Sequence, residues 1–531
     1  MITRPKAFAF VALLWAALYL PGLGTPELDG QEGGRVIPAV EMLQNGRWIV
    51  PPYGGEDYYN KPPGINWLFA ASFAVTGVRS ELTARLPSVL MMLAFASMLI
   101  WTRGPWLGLP GRLIAAVVFL TAIGLACNGR HAYIEASYVC LTAMATLWWL
   151  NVWSRNGSRW LLWLVPAVLL AYGALIKGPI LGVLFYCTVI CVMAYARRLK
   201  ELFTLQHFVG IAVILFLCLG WVYLAMIRSS ASSKMTHTWL MQWLVRFAPD
   251  EEHHTIWVFN VLKTLGELMP WLAFVPLLWM KRFTSKVPAH DLPLFKGCRL
   301  SLAIGFVLIE AMPATLPRYA LPCFPLAGML LGWVLSLQEP SPRPQRPWKI
   351  AVLTIAALSC ASVAVGLVLA SHAPAAWLMF AATLATAGML FQYRRRLLGP
   401  IPLSLATGIV TAIVILQYYT FTIPYGLAHE LYRPTGQAIS QAVPPGQTIY
   451  AYRPMKQKVM LYVRQPLKYL MRPEEIDGRV RYLVIQASLL DEPSMRPVAA
   501  RSPKVLFRYD VRTVGEYRLV ELAPVSPPPD R

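Results

Sequence analysis

Several charged residues stand where an apolar chain would not place them without a reason. Asp29 and Glu32 lie in a polar stretch, residues 27–64, that follows the first apolar segment, and Glu135 sits just inside a later apolar run. A carboxylate next to an acceptor hydroxyl can take its proton as a general base. Lys61, Arg130, Lys177, Arg246 and Arg318, with Tyr319 beside the last, fall near the ends of apolar runs. Such cations suit a phosphate leaving group, whose growing charge they hold through charge-assisted hydrogen bonds.

Each of these residues also has a plainer reading. Glu32 is favourable at a positive helix start, and Asp29 before Gly30 can simply make a turn. Glu135 can pair with Arg130 one turn away. The cations can snorkel toward headgroups, and Tyr319 can join an aromatic belt. A task is the better reading for Lys61, fixed by Pro62-Pro63, and for Lys177, followed by Gly178-Pro179. His253 and His254 adjoin Asp250, Glu251 and Glu252, but lack ligand spacing, so a solvated loop is expected there rather than a metal site.

Composition says what must position these groups. The 531 residues are 56% hydrophobic and 14% charged, against about 45–50% and about 25% for soluble domains. This is the make-up of an integral membrane protein. A net charge of +22 raises the question of nucleic acid. No basic patch with interleaved aromatics supports that, and nucleic acid is not expected as a partner. The eight cysteines sit mostly inside apolar runs and form neither a disulfide framework nor paired metal-ligand spacing.

A membrane-spanning helix needs roughly 17–25 apolar residues. On that rule about thirteen helices are expected, near 7–23, 83–101, 111–127, 135–153, 160–176, 178–196, 206–227, 260–279, 299–316, 319–337, 348–370, 374–392 and 399–417. Alternate connections carry clusters such as Arg197, Arg198 and Lys200, or Arg394, Arg395 and Arg396. The positive-inside rule makes that side cytoplasmic, together with the N-terminus. The residues singled out above then share the opposite face. In the first loop, 24–64, residues 31–44 have helical apolar spacing and should lie in the interface; a second apolar helix, 64–77, either lies there too or forms a further span that would change the count.

The composition shifts near residue 418. Strands are expected at 448–452, 459–463, 482–486, 505–509 and 517–521, after a short helix at 430–442. The fold class expected is thus an α-helical polytopic membrane protein, residues 1–417, with a small C-terminal periplasmic α/β domain, residues 418–531.

The chain resembles the GT-C superfamily of membrane glycosyltransferases, most of all the branch of the lipid A aminoarabinose transferase and the protein O-mannosyltransferases. The match runs through Glu41-Met42-Leu43 with Gly46-Arg47-Trp48-Ile49-Val50-Pro51, then Tyr59-Asn60-Lys61-Pro62-Pro63. It continues through Glu135, Lys177-Gly178-Pro179 and Pro317-Arg318-Tyr319-Ala320-Leu321-Pro322. The resemblance implies an inverting glycosyltransferase of a bacterial inner membrane. Its donor would be a polyprenyl-phosphate-linked sugar, and its acceptor a lipid, glycan or protein at the periplasmic face. It implies an acidic first-loop residue at the reacting centre, Lys61 on the donor phosphate and Glu135 at the second acidic position.

Two departures matter. Gln31-Glu32 stands where the family has Asp-Glu, so Glu32 or Asp29 must act if a base is needed; a phosphate acceptor needs none. Asn60 replaces the zinc-ligand glutamate of some relatives, and Trp243 stands near the place of their histidine. No zinc site and no cofactor are therefore expected, with a divalent metal left as an alternative, and aminoarabinose is disfavoured as the sugar. The competing functional classes are a polyprenyl-lipid-binding member without catalysis and a lipid flippase or transporter, for which no inverted repeat is found.

Overall fold

A computed structural model of the chain describes residues 2–524 apart from 29–30, 230–235, 239, 242–250, 313–314, 340–341, 370–373, 396, 398, 420–431, 454–457 and 512–514. Asp29, Trp243 and Arg246 fall outside the described residues. His253 and His254 lie on a helical backbone, Glu251–Glu267, where a loop was expected, and their side chains are outside the description.

The bundle is built on α7 (Ile134–Ser154), buried on nearly every side. Against it pack α4 (Glu81–Trp101), α6 (Ile123–Gly129), α8 (Arg159–Lys177) and α9 (Ile180–Tyr195), and on α4 in turn pack α1 (Arg4–Tyr19) and α5 (Leu109–Thr121). Later helices include α10 (Leu205–Arg228), Leu292–Glu310, Phe324–Ser336 and Pro400–Gln417. Small residues let several of these helices approach closely, as expected where apolar burial alone gives no preference among partners. A Cβ added at Gly332 would lie 2.2 Å from the Gly111 carbonyl oxygen, and one at Gly297 2.4 Å from the Val192 Cα.

Among the described residues, seven helices are long and apolar enough to cross a membrane, or nine if each of two bent pairs counts as one span. The expected thirteen is larger than this count. Each expected segment coincides with helical structure, but α1 and α9 have only 16 residues. The stretch expected as 111–127 is two helices bent by 64°, and that at 260–279 breaks by 93°.

The first loop holds α2 (Gly33–Asn45) and a hairpin of β1 (Pro52–Tyr53) and β2 (Glu56–Asp57), followed by α3 (Gly64–Thr76). Helix α2 ends where Gly46 turns left-handed at φ 67°, the conformation that glycine adopts without Cβ strain. Arg47 pairs with Asp57 across the hairpin. Glu41 accepts the amides of Gly54 (2.8 Å) and Gly55 (3.2 Å), which fastens the turn to α2.

Beyond residue 431 lies a five-stranded sheet in the order β4-β3-β5-β7-β6, with β3 (Ile449–Tyr452), β4 (Leu467–Leu470), β5 (Tyr482–Gln486), β6 (Lys504–Val511) and β7 (Gly515–Glu521). β3 runs parallel to β4 and β5; β7 runs antiparallel to β5 and β6. Both faces are covered. Ile449, Ala451, Val484 and Leu519 pack on one side, and Tyr452, Leu483, Ile485 and Val520 on the other. The expected strand at 459–463 is instead a 3-10 turn, Lys458–Tyr462, and the parallel partner of β3 is 467–470. Val459 and Met460 are buried in that turn, beneath the helix Tyr432–Ala442. Gly436 of that helix is so close that a Cβ would lie 2.6 Å from Tyr462.

Candidate active site

The N-terminus of α7 is where the singled-out residues meet. Tyr133 precedes the helix in extended conformation, which places Glu135 in the first turn, where the helix dipole favours an anion. Lys177 is the last residue of α8, and Gly178 beyond it takes φ 106°, a conformation that leaves the chain free to turn at once into α9. Arg318 lies in the 3-10 turn Pro317–Tyr319. These three elements bring Lys177 Nζ to 3.1 Å and Arg318 Nε to 3.3 Å from the same Glu135 oxygen. The Glu135 side chain is 4% exposed, Lys177 10% and Arg318 29%. Lys177 Nζ lies 4.6 Å from the ring centre of Tyr319 and 5.3 Å from that of Tyr138, so the cation has aromatic walls as well as an anion.

The expected Glu135–Arg130 pair is replaced by this arrangement. Arg130 donates to the carbonyl oxygens of Leu18 and Pro21 and lies 4.2 Å over Tyr419. It fastens α1 to the turn before α7 and is buried.

Glu32 occupies a second buried centre. It immediately precedes α2, makes no side-chain capping hydrogen bond to that helix, and is fully buried. Arg85, on α4, reaches it with Nε at 2.8 Å and Nη2 at 2.7 Å, one nitrogen to each oxygen. The Ala132 amide also donates to Glu32 at 2.7 Å. Arg85 spends its other donors on the carbonyls of Leu23, Pro26 and Glu27. Burial opposes ionisation of Glu32, yet the hydrogen bonds and charge of Arg85 outweigh it, with help from His131 and the Ala132 amide, and the carboxyl stays below its ordinary value. Burial lowers His131 in the same turn. Since Ala132 is held by Glu32 and Glu135 follows three residues later, one turn joins the two centres.

The Lys61 turn docks on the same end. Tyr172 of α8 donates to the Gly64 carbonyl at 2.9 Å. Gly64 sits so tightly that a Cβ would lie 2.7 Å from the Leu175 carbonyl oxygen, two residues before Lys177. Lys61 is half-buried in that turn. Asn66 donates to the Arg35 carbonyl at 2.7 Å, which ties α3 back to α2. Arg85 was missed from the sequence, although a lone arginine inside an apolar run is itself a signal of a buried partner. Glu267, whose carboxyl lies in the field of Arg318 and Glu135, was also missed.

The comparisons with known proteins fit this geometry. Residues 60–224 match the family described as dolichyl-phosphate-mannose-protein mannosyltransferase. The whole chain superposes on the crystal structure of ArnT from Cupriavidus metallidurans bound to undecaprenyl phosphate, with a TM-score of 0.71, 18% identity, and 99% of this chain and 100% of that one covered. The fold is that of ArnT. In sequence the chain is 25% identical over 341 residues to the undecaprenyl phosphate-alpha-4-amino-4-deoxy-L-arabinose arabinosyl transferase of Pectobacterium atrosepticum, covering 62% of this chain. It is 27% identical over 312 residues to a transferase of the same description from Pseudomonas fluorescens, covering 56% of this chain. The chain spans 59% and 50% of the length of these two relatives. It therefore resembles the aminoarabinose transferase branch of the GT-C membrane glycosyltransferases. In this ArnT-like fold, the first loop, the start of α7, the end of α8 and the 317–319 turn form one polar region.

Proposed function

We propose that this chain is an inverting glycosyltransferase that moves a sugar from a polyprenyl-phosphate donor to an acceptor at the periplasmic face of a bacterial inner membrane. The observation that carries this is the convergence of Lys177 and Arg318 on Glu135 in a chain of ArnT-like fold. An oxygen of the acceptor attacks the sugar anomeric carbon from the side opposite the donor phosphate. The bond from that carbon to the phosphate oxygen breaks, and polyprenyl phosphate leaves with the electron pair. Lys177 and Arg318 hold the charge that grows on the leaving oxygen, and Lys61 serves the same phosphate from the adjoining turn. Glu135 keeps the two cations together and aligned before the donor arrives.

A hydroxyl acceptor must pass its proton to a carboxylate. Glu32, closed in by Arg85 and the Ala132 amide, is poorly placed for that, so an anionic acceptor such as a phosphate is the simpler partner. The reading uses no cofactor. Residues 1–417 carry the reaction, and the sheet domain stands in the periplasm on the side of the first loop, with the N-terminus cytoplasmic. Lipid is the acceptor class we favour over glycan or protein, because a lipid phosphate would meet at the bilayer surface the lipid-linked donor that the relatives' name gives.

Purified protein in lipid nanodiscs, given labelled undecaprenyl-phosphate sugar, should release free undecaprenyl phosphate and label a second molecule. Lys177→Ala should reduce that release by a factor of about a hundred or more. Donor retained intact by the wild-type protein would sink the transfer reading. It would favour lipid binding without catalysis, for which Gln31 in place of the family's aspartate already argues. Donor carried across the bilayer uncleaved would mark a flippase.

A further inference from the structure

Away from Glu135, a cavity of about 360 Å³ opens between the first loop and the sheet domain. The first loop, and the turn that follows α3, supply Glu41, Gln44 and Arg79; the domain supplies Gln437, Arg464 and the wall formed by Tyr462 and Tyr469. Its charges are unevenly matched. Glu81 is answered by Arg433 at 2.5 Å. Glu41 is buried and turned onto the amides of Gly54 and Gly55. Arg79 and Arg464 are exposed, and neither guanidinium has a hydrogen bond or ion pair among the described residues. A second cavity, of about 470 Å³, shares Gln437 and Arg464 and extends the trough over the domain.

Two unanswered guanidiniums lining one cavity, with two amide side chains in the same lining, suit a tetrahedral dianion on a polar body. Guanidinium binds phosphate through paired donors, and Gln44 and Gln437 offer both donors and acceptors to hydroxyl groups. We propose that this cavity is a phosphate-ester site, separate from the Lys177–Arg318 centre, in which Arg79 and Arg464 grip the phosphate and Gln44 and Gln437 the polar body that bears it. Because the two arginines come from opposite walls, an occupied site also clamps the sheet domain onto the first loop. The same phosphate chemistry is offered by a soluble sugar phosphate and by a phospholipid headgroup at the bilayer surface.

The test uses the full chain with two probes, glucose 1-phosphate in solution and phosphatidic acid in phosphatidylcholine nanodiscs. Binding of either probe should weaken about tenfold or more in the double variant Arg79→Gln/Arg464→Gln, since two charge-assisted contacts are lost. It should also fall with added salt and slow amide exchange in residues 436–466 when present. Both arginines are exposed, so the double variant should melt with the wild type, and the slowing of exchange in residues 436–466 should persist in Lys177→Ala, which alters only phosphate held at the Lys177–Arg318 centre. A response to phosphatidic acid alone assigns the site to a lipid headgroup, and a response to glucose 1-phosphate assigns it to a soluble ester. Neutral glucose binding as well as its phosphate, equal binding by the double variant, or loss of that slowing in Lys177→Ala alone would each overturn the proposal. Because probe binding requires no sugar transfer, the outcome stands apart from that of the transfer assay.

Discussion

Glu32 and Glu135 are both buried carboxylates paired with cations, and one short turn joins them, yet they are built for different ends. Glu32 meets an arginine that is itself 4% exposed, and each of its oxygens is taken by one guanidinium nitrogen. Glu135 shares a single oxygen between two cations, one of them 29% exposed. The first centre is saturated and locks α2, α4 and the turn before α7. The second has cations that a phosphate could claim without leaving them unpaired. A closed pair keeps a shape, whereas an open pair can exchange partners. Of the three carboxylates expected at the reacting centre, Asp29 lies outside the described residues; of the other two, Glu135 has the more open pairing, and the role we propose for Glu32 is to support it.

This contrast can be broken in order of expected effect. Arg85→Ala leaves Glu32 buried without its partner and should cost about 3–5 kcal/mol of stability, read as a large fall in melting temperature in detergent; a small shift would mean that water already reaches Glu32. Lys177→Ala should instead spare most of the melting temperature and lower transfer by about 10²–10³-fold; equal loss of both would make the two centres alike. Gly64→Ala pushes a methyl onto the Leu175 carbonyl and should cost about 1–3 kcal/mol. Its transfer rate should fall as well, because the Lys61 turn must move away from α8.

The pH dependence separates the centres further. The folded Glu32 carboxyl lies below its ordinary value, so its stabilisation is complete above about pH 4.3 and is lost as pH falls through the lower folded value. Melting curves of wild type should drop over that acid window more steeply than those of Glu32→Gln, and parallel curves would refute the ionised pair. The smallest effect belongs to the domain contact. Arg433→Ala removes an ion pair with Glu81 whose arginine is about one-third exposed, worth at most about 1 kcal/mol. Faster amide exchange confined to the helix Tyr432–Ala442 is the expected readout.

Much of the scaffold was legible because its signals are local. Apolar runs set the helices, and Gly46 and Gly77 ended α2 and α3 in the left-handed conformation. Lys61, Lys177 and Arg318 stood out because proline or glycine neighbours fixed their backbones. The pairings were not legible. Glu135 was set against Arg130 by nearness in sequence, but Arg130 turns to carbonyls on α1 while Lys177, 42 residues away, reaches the carboxylate. The stretch at 459–463 read as a strand by its residues, and helix packing made it a 3-10 turn instead.

The sequence by itself determined that this is a helical membrane chain with acids and cations gathered toward one face and a separate sheet at its end. Which acid meets which cation was decided only when α4, α7, α8 and the 317–319 turn packed together, since an ion pair's worth depends on distance and on how much water remains between the charges. Those quantities are properties of the assembled interior and have no trace in the spacing of residues along the chain.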